Sequence, residues 1–198
     1  MLGMKIHELG LKLPNSFLVY DVLTKTHFNT LKTNIYQSHC PWYIQSDTTY
    51  GLGQSSTSMT HGFRHCFMTA DVKKSDYTEL VLPIVWTMAD CLNKEIKSIY
   101  SIHANLVENY NLPHLTQAHI DIQDYGDDKN VWTAIFYIDD VDGNTVFFNN
   151  KLTETIIYEQ TPVSNTMLIF PNNQYHAMRL PEIATFRRVI NINIIVNE

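Results

Sequence analysis

The feature that most constrains the fold is a series of short, β-like segments that fills the chain after Tyr100. Each segment is rich in β-branched and aromatic residues, and Gly, Asn, Asp or Pro residues separate it from the next. The predicted strands cover residues 101–110, 131–138, 145–148, 155–159, 167–170 and 187–196. So many short strands, with turn residues between them, favour two packed β-sheets.

The first half of the chain has a different pattern. Residues 16–23 predict a strand and residues 24–37 a helix. A second helix is predicted with Asp76 as its cap, because apolar residues recur at helical spacing from there as far as Ile99. Helices followed by many strands indicate an α+β fold, in which a jelly-roll-like double sheet carries N-terminal supporting helices.

Length and composition indicate one globular domain. At 198 residues, with 44% hydrophobic and 12% aromatic residues, the chain can bury a core of its own. We therefore expect a single domain over 1–198, with helical and loop support over 1–100 and the β core over 101–197.

Charge and cysteine usage limit the partners and the cellular compartment that we expect for the chain. A formal net charge of −6 disfavours general nucleic-acid binding, which needs a basic surface. Cys40, Cys66 and Cys91 are scattered and odd in number, so a complete disulfide framework is not expected. Free thiols of this kind fit a protein of the reducing cytoplasm. The first residues lack the apolar region of a signal peptide, and no apolar run approaches the length of a membrane span. We expect a cytoplasmic protein without nucleic-acid or membrane partners.

A metal-site pattern lies within the β-rich half. His119 and Asp121 form a His-x-Asp pair, and His176 follows much further along the chain. Side chains at i and i+2 of an extended segment share a face, so the pair can occupy two adjacent positions on one metal. Two histidines and one carboxylate form the facial triad that suits non-haem Fe(II) and leaves coordination positions open.

The last predicted strand has an apolar face and a mixed face. Its isoleucines alternate with Arg187 and the asparagines, so the isoleucines should pack under the helices while Arg187 looks into the sheet-lined cavity. A buried guanidinium needs an anionic partner, and this strand carries no acid. A carboxylate-bearing ligand would supply that partner through paired hydrogen bonds. Tyr137 is placed to donate its hydroxyl to the same carboxylate, whereas Arg188 lies on the isoleucine face.

Together these motifs resemble those of the Fe(II)- and 2-oxoglutarate-dependent dioxygenases. The branch that the chain resembles is the prolyl-4-hydroxylase-like one, in particular its short forms in marine bacteriophages. The resemblance covers about residues 100–196. Asn144 departs from the family pattern, which has a second glycine or a glutamate there. The matching segments are the His119–Asp121 pair and the stretches 132–139, 142–147, 165–170 and 187–192.

This resemblance implies a double-stranded β-helix, a distorted jelly roll of cupin-like form. It implies Fe(II) held by His119, Asp121 and His176, and 2-oxoglutarate held by Arg187 with help from Tyr137 and Thr145. These ligands and Arg187 would form the catalytic set. O2 is the expected second co-substrate, and ascorbate is expected to support the reaction. The implied reaction hydroxylates a C–H bond, on peptidyl proline in a protein or peptide, while 2-oxoglutarate is decarboxylated to succinate.

Two other functions fit the same residues. One is a non-catalytic jelly-roll binding module, because a fold does not fix a function. The other is a zinc hydrolase that uses the same three ligands and a bound water. The zinc hydrolase would leave Arg187 without an anionic partner.

Several other residues have less specific patterns. His61 and His65 stand four apart, but they lack the glutamate of a zinc-protease helix, so surface or structural roles are expected. For Asn105, Tyr110 and His114 the choice between substrate contact and a structural role stays open. The polar segment 41–60 is a candidate lid or recognition loop.

Overall fold

The computed structural model of the chain describes residues 4–36, 39–45, 61–109, 115–125, 128–150 and 155–198. Two α-helices and twelve strands form these residues, with short 3-10 turns at Gly10–Lys12 and Gln123–Tyr125. In chain order the elements are β1 (Lys5–Glu8), β2 (Phe17–Tyr20), α1 (Lys25–Tyr36), β3 (Tyr43–Gln45), β4 (Gly62–Thr69), β5 (Val72–Lys73), α2 (Thr78–Leu92), β6 (Ile96–Glu108), β7 (Val131–Tyr137), β8 (Thr145–Phe148), β9 (Ile156–Gln160), β10 (Thr166–Pro171), β11 (His176–Met178) and β12 (Phe186–Val196).

The strands form two antiparallel sheets. The large sheet has the order β1-β2-β10-β7-β12-β6-β4-β3, with β5 paired to β4, and the small sheet has the order β11-β8-β9. The fold is therefore mostly antiparallel β with two helices, in agreement with the predicted α+β class. The first hundred residues supply β1 to β5 in addition to both helices, which the sequence pattern revealed only in part.

One face of the large sheet packs against the helices. The isoleucines at 190, 192 and 194 of β12 are fully buried in a cluster with Leu31 of α1 and with Val81, Ile84 and Met88 of α2. This confirms the face prediction for the last strand, since strict alternation along β12 sends its other side chains to the opposite surface.

The opposite face of the large sheet packs against the small sheet. Phe147 of β8 lies in a buried cluster with Ile135 of β7 and with Leu168 and Phe170 of β10. The two sheets thus close over an apolar core. Arg187, Val189 and Asn191 of β12 line a cavity next to this core.

The first helix begins as predicted, whereas the second differs at both ends. Thr24 accepts a hydrogen bond from the His27 backbone N–H at 3.3 Å, as an N-cap does. Helix α2, however, begins at Thr78 rather than at Asp76, and Ser75 Oγ accepts the Tyr77 backbone N–H.

Helix α2 is also shorter than predicted, because it ends at Leu92 and Asn93 follows in the left-handed conformation (φ +51°). Ile96 and Ile99 belong to β6 instead. Both pack against the same core as α2, so their apolar spacing resembled a further helical turn.

None of the helices in the described ranges combines the length and the apolar character needed to cross a bilayer. Cys40, Cys66 and Cys91 are all unpaired thiols. Burial raises the pKa of the Cys40 thiol to about 11, and burial together with Asp90 raises that of Cys91 to about 11, so both stay protonated at neutral pH.

A partly buried charge network connects α1 to the last strand. Asp139, just after β7, accepts hydrogen bonds from Arg188 Nε at 3.0 Å and from the Tyr36 hydroxyl, and it forms an ion pair with Lys32 at 3.1 Å. The Arg188 guanidinium also stacks on the Tyr36 ring, with its central carbon 3.5 Å from the ring centroid. Arg188 therefore has a carboxylate partner and a stacking partner on the helical side of the sheet.

Replacing Asp139 with alanine is expected to lower the free energy of unfolding by about 3 kcal/mol, because Arg188 would stay largely buried without its carboxylate. The Tyr36→Phe variant removes one hydrogen bond only and should cost about 1 kcal/mol. Urea unfolding followed by circular dichroism measures both values. Equal, small losses in the two variants would show that the network does not stabilise the fold.

Candidate metal and co-substrate site

The two candidate histidines are brought together by a backbone bridge. His119 lies outside the named strands, but its N–H donates to the His176 carbonyl at 2.9 Å, and the His176 N–H donates back at 3.0 Å. This antiparallel bridge sets the two side chains on one side of the backbone, with ring centroids 4.6 Å apart. His119 and His176 therefore lie side by side although nearly sixty positions separate them in the sequence.

Asp121 completes the triad. Its Oδ1 lies 3.6 Å from His119 Nε2 and 3.5 Å from His176 Nε2. One ligand atom from each of the three residues lies within 4.8 Å of the others. This spacing fits three donors that occupy one face of a single metal ion.

Each histidine is oriented by the backbone two residues before it. His119 Nδ1 lies 3.0 Å from the Gln117 carbonyl, and His176 Nδ1 lies 3.1 Å from the Gln174 carbonyl. A carbonyl can only accept, so each Nδ1 carries the proton and each Nε2 carries the lone pair. Both rings thus present the nitrogen that faces Asp121, as metal-ligating histidines do when a second partner fixes the tautomer.

The Asp121 carboxylate is held in place by Asn191 of β12, whose Nδ2 donates to Oδ2 at 2.9 Å. With Oδ2 occupied, Oδ1 is the oxygen directed at the histidines. Burial alone would raise the pKa of this carboxyl, but the charges of His176 and His119, when these imidazoles are protonated in the absence of a metal, and the Asn191 amide hold it well below its usual range. Asp121 is therefore an anion over the whole physiological pH range.

Asn191 is itself fixed by a chain of buried polar groups. Its Oδ1 accepts from Asn193 Nδ2 at 2.7 Å, and Asn193 Oδ1 accepts from the Thr133 hydroxyl at 2.9 Å. Asn193 Nδ2 also donates to the Ser101 hydroxyl at 3.2 Å. The asparagines that the sequence placed on the mixed face of β12 thus connect three neighbouring strands to the metal ligand.

Replacing Asn191 with alanine is expected to weaken divalent-metal binding by about ten-fold, since loss of a partner that orients a ligand typically has an effect of that order. Isothermal titration with Zn(II) measures the affinity. Ser101→Ala, at the far end of the same polar chain, serves as the control and should bind metal almost as tightly as the wild type. Equal losses in both variants would mean that the chain supports the fold rather than Asp121.

Arg187 lies in the cavity beside the triad, where it is only 4% exposed. Its Nε donates to the Gly143 carbonyl at 2.6 Å, its Nη2 to the Thr145 hydroxyl at 3.0 Å, and its Nη1 faces the weak acceptor Met178 Sδ at 3.3 Å. Among the described residues no carboxylate lies within ion-pair distance of this guanidinium. Burial lowers the Arg187 pKa to about 10, so it remains a cation at neutral pH.

The two residues predicted to assist Arg187 lie next to it. The Tyr137 hydroxyl is 2.8 Å from the Thr145 hydroxyl, which also accepts from Arg187. Burial raises the pKa of Tyr137 to about 12, so this hydroxyl stays protonated and able to donate. Arg187, Thr145 and Tyr137 thus form one hydrogen-bonded polar group, of which Arg187 and Thr145 line the cavity.

The turn before β8 supports this surface. Gly143 has φ +96°, and a Cβ there would lie 3.0 Å from Arg187 Cδ and 3.1 Å from the Arg179 carbonyl oxygen. Asn144, which departs from the family pattern, donates to Glu159 Oε2 at 3.0 Å, and Glu159 also pairs with Arg179 at 2.8 Å. The asparagine therefore ties the turn to β9 without entering the cavity.

The structure locates some of the residues whose roles the sequence left undecided. His65 is buried, with Nδ1 2.7 Å from the Pro41 carbonyl and Nε2 2.8 Å from Ser75 Oγ, so its role is structural as expected. Asn105 lines the cavity with His119 and Arg187. Tyr110, His114 and residues 46–60 of the predicted lid lie outside the described residues.

Two residues near the triad were missed by the sequence reasoning. Arg64 on β4 pairs with Asn105 on β6, and His103 on β6 pairs with Asn191 on β12. Antiparallel neighbours point to the same face, so both belong to the surface that carries Asn105 and Asn191. Alternation with the buried His65 was the available signal for Arg64, because successive residues of a strand point to opposite faces of the sheet.

Comparison with known proteins gives a likeness of fold. No protein-family profile matches the chain, and no curated protein matches its sequence. Among solved structures, a prolyl hydroxylase from Trichoplax adhaerens, in complex with a hypoxia inducible factor peptide fragment, aligns with a TM-score of 0.62 at 14% identity, over 91% of this chain and 83% of that one. The viral collagen prolyl hydroxylase of Paramecium Bursaria Chlorella virus-1, in its 2-oxoglutarate complex, aligns with a TM-score of 0.57 at 13% identity, over 92% of this chain and 96% of that one.

A third similar structure has a different activity. The non-haem α-ketoglutarate-dependent epimerase SnoN of nogalamycin biosynthesis aligns with a TM-score of 0.64 at 11% identity, over 91% of this chain and 76% of that one. At such identities the likeness establishes the fold, which is that of the 2-oxoglutarate–Fe(II) oxygenases.

The residues of the site fit the group that this fold carries. Two neutral imidazoles and one ionised carboxylate, with ligand atoms within 4.8 Å of one another, are donors that Fe(II) accepts. The buried Arg187, which lacks a carboxylate partner among the described residues, fits a dicarboxylate such as 2-oxoglutarate. His119, His176 and Arg187 line one cavity, and Arg187 lies four residues along β12 from Asn191, which contacts Asp121.

Proposed function

We propose that the protein is an Fe(II)- and 2-oxoglutarate-dependent dioxygenase, built on a double-stranded β-helix, that hydroxylates a C–H bond. The observation that carries this proposal is the combination of the triad with a buried, carboxylate-free arginine in one cavity. When bound, Fe(II) and 2-oxoglutarate supply the oxidising chemistry that activates O2 and produces succinate. Neither feature alone would distinguish this function from simple metal binding.

The chain's own residues have separate roles in this proposal. His119, Asp121 and His176 hold the metal, and Asn191 keeps one Asp121 oxygen directed at it. Arg187 binds the distal carboxylate of 2-oxoglutarate, and its two Nη groups supply parallel donors. Thr145 holds Nη2 in place, and the protonated Tyr137 hydroxyl donates to the same carboxylate or to Thr145.

We propose peptidyl proline as the substrate. The support is the presence of several prolyl hydroxylases among the structures of similar fold, together with the resemblance of the motifs to the prolyl-4-hydroxylase-like branch. The similar fold of an epimerase makes a direct test necessary.

The test is succinate formation by the metal-loaded wild type, with and without 2-oxoglutarate, O2 and proline-containing peptides. We expect succinate only with Fe(II), O2 and 2-oxoglutarate together, and a +16 Da product from a peptide that contains proline. Hydrolysis without 2-oxoglutarate would favour the zinc hydrolase. Metal and 2-oxoglutarate binding without turnover would favour the non-catalytic binding module.

We also propose a setting, the cytoplasm of a phage-infected bacterium. The resemblance to short phage enzymes and the three unpaired thiols support it. Mass spectrometry of fractionated infected cells tests it, and recovery from the periplasm or the medium alone would contradict it.

A further inference from the structure

A second arginine borders the site, on the side where the triad lies. Arg64 of β4 is the strand neighbour of Asn105 on β6, and its Nε donates to Asn105 Oδ1 at 3.2 Å. Asn105 in turn lines the cavity with His119 and Arg187. Arg64 is thus hydrogen-bonded to a residue that lines the cavity, whereas Arg187 lines the cavity itself.

The Arg64 guanidinium is partly buried but has few hydrogen-bond partners among the described residues. Within the described residues only its Nε is hydrogen-bonded, and no carboxylate lies within ion-pair distance. Burial lowers the Arg64 pKa, while the Asp121 carboxylate, near enough to interact, and Cys66 oppose that shift. A partly buried guanidinium whose two Nη groups have no hydrogen-bond partner among the described residues can bind an anion.

The charges of the site lead to the same conclusion. On the proposed function, Asp121 and one carboxylate of 2-oxoglutarate offset the two charges of the metal, and the other carboxylate offsets Arg187. Arg64 then remains a cation beside the site that has no carboxylate partner among the described residues. His103, its neighbour, adds no charge, because burial and the adjacent Arg64 lower its pKa to about 3.

We propose that Arg64 is a specificity-determining residue that binds a carboxylate of the substrate and so selects anionic substrates over neutral ones. This inference rests on the proposed function and sharpens it. The preferred substrate is then a compound that carries a carboxylate close to the hydroxylated carbon. This carboxylate is either the terminal carboxylate of the hydroxylated residue or the side chain of an adjacent acidic residue. The adjacent Asn105 holds the guanidinium fork in position through Nε.

The test compares matched acids and amides. The probes are N-acetyl-L-proline and its amide, blocked Pro-Asp and Pro-Asn dipeptides, and the free amino acids with their amides. Binding to the Zn(II)-loaded protein with 2-oxoglutarate is followed by isothermal titration, and hydroxylation by the Fe(II)-loaded protein is followed by mass. We expect an acid to bind at least about ten-fold more tightly than its amide, as one charge-assisted hydrogen-bonded pair predicts. Comparing the N-acetyl-L-proline pair with the Pro-Asp and Pro-Asn pair shows whether the bound carboxylate is that of the proline itself or that of an adjacent acidic side chain.

Variants separate recognition from a structural role. Arg64→Gln should remove the preference for acids and raise their KM about ten-fold, with the KM for 2-oxoglutarate unchanged. Arg64→Lys should recover part of the preference, and Lys97→Gln, which removes an exposed lysine of the neighbouring β6, should keep all of it. Equal effects on acids and amides, a raised KM for 2-oxoglutarate, or no binding of any carboxylate probe would overturn the proposal. Slow substrate-free conversion of 2-oxoglutarate to succinate tests the proposed function separately, because it does not depend on Arg64.

Discussion

Replacing Asp121 with alanine is expected to lower the rate of succinate formation by on the order of a thousand-fold or more, about 4 kcal/mol of lost stabilisation. The variant would retain two neutral imidazoles, which hold a divalent cation far less firmly than a set that includes a carboxylate. It would also leave the Asn191 Nδ2 without its acceptor. We therefore expect a loss of metal affinity that accompanies the loss of turnover.

Two measurements separate this prediction from general damage to the protein. Zn(II) titration should show weak binding by Asp121→Ala and tight binding by the wild type, while circular dichroism spectra remain alike. Asp124→Ala removes the same charge from an exposed position three residues later and should leave both metal affinity and turnover unchanged. Wild-type turnover by Asp121→Ala would contradict the assignment of the metal site.

Alternation along single strands was sufficient to anticipate much of this site. The period of two placed His119 with Asp121, and it separated Arg187 from Arg188, which proved to lie on opposite faces of β12 with different partners. The same rule placed Tyr137 on the cavity side, where it meets Thr145. These inferences needed only the local backbone geometry that any extended segment imposes.

Pairing between distant strands was not accessible from the sequence in the same way. The neighbours of Arg64 depend on β4 lying beside β6, and those of His103 on β6 lying beside β12, and no local pattern specifies either pairing. The predicted end of α2 was wrong for a related reason. Ile96 and Ile99 belong to a strand but pack on the same core that a longer helix would contact. Apolar spacing reports burial, and burial by itself does not distinguish the two conformations.

The adjacent arginines allow a sharp prediction, because one contacts the cavity and the other the helix. Arg187→Met is expected to raise the KM for 2-oxoglutarate about a hundred-fold, since two charge-assisted hydrogen bonds of about 1.5 kcal/mol each would be lost. Its effect on unfolding should be small, because the variant also removes a buried charge that lacks a carboxylate among the described residues. Arg188→Met should do the reverse, with a KM for 2-oxoglutarate near that of the wild type and a lower free energy of unfolding.

The two variants together test whether the face of β12 determines function. Titration of 2-oxoglutarate into the Zn(II)-loaded proteins gives the affinity without turnover, and urea unfolding gives the stability. Arg187→Lys, which keeps the charge but loses the planar fork, should fall between the wild type and Arg187→Met in affinity. A hundred-fold loss in Arg188→Met with none in Arg187→Met would move the co-substrate to the helical side of the sheet. That result is incompatible with a guanidinium that already binds Asp139 and stacks on Tyr36, so the contrast between the two variants tests the whole placement of the site.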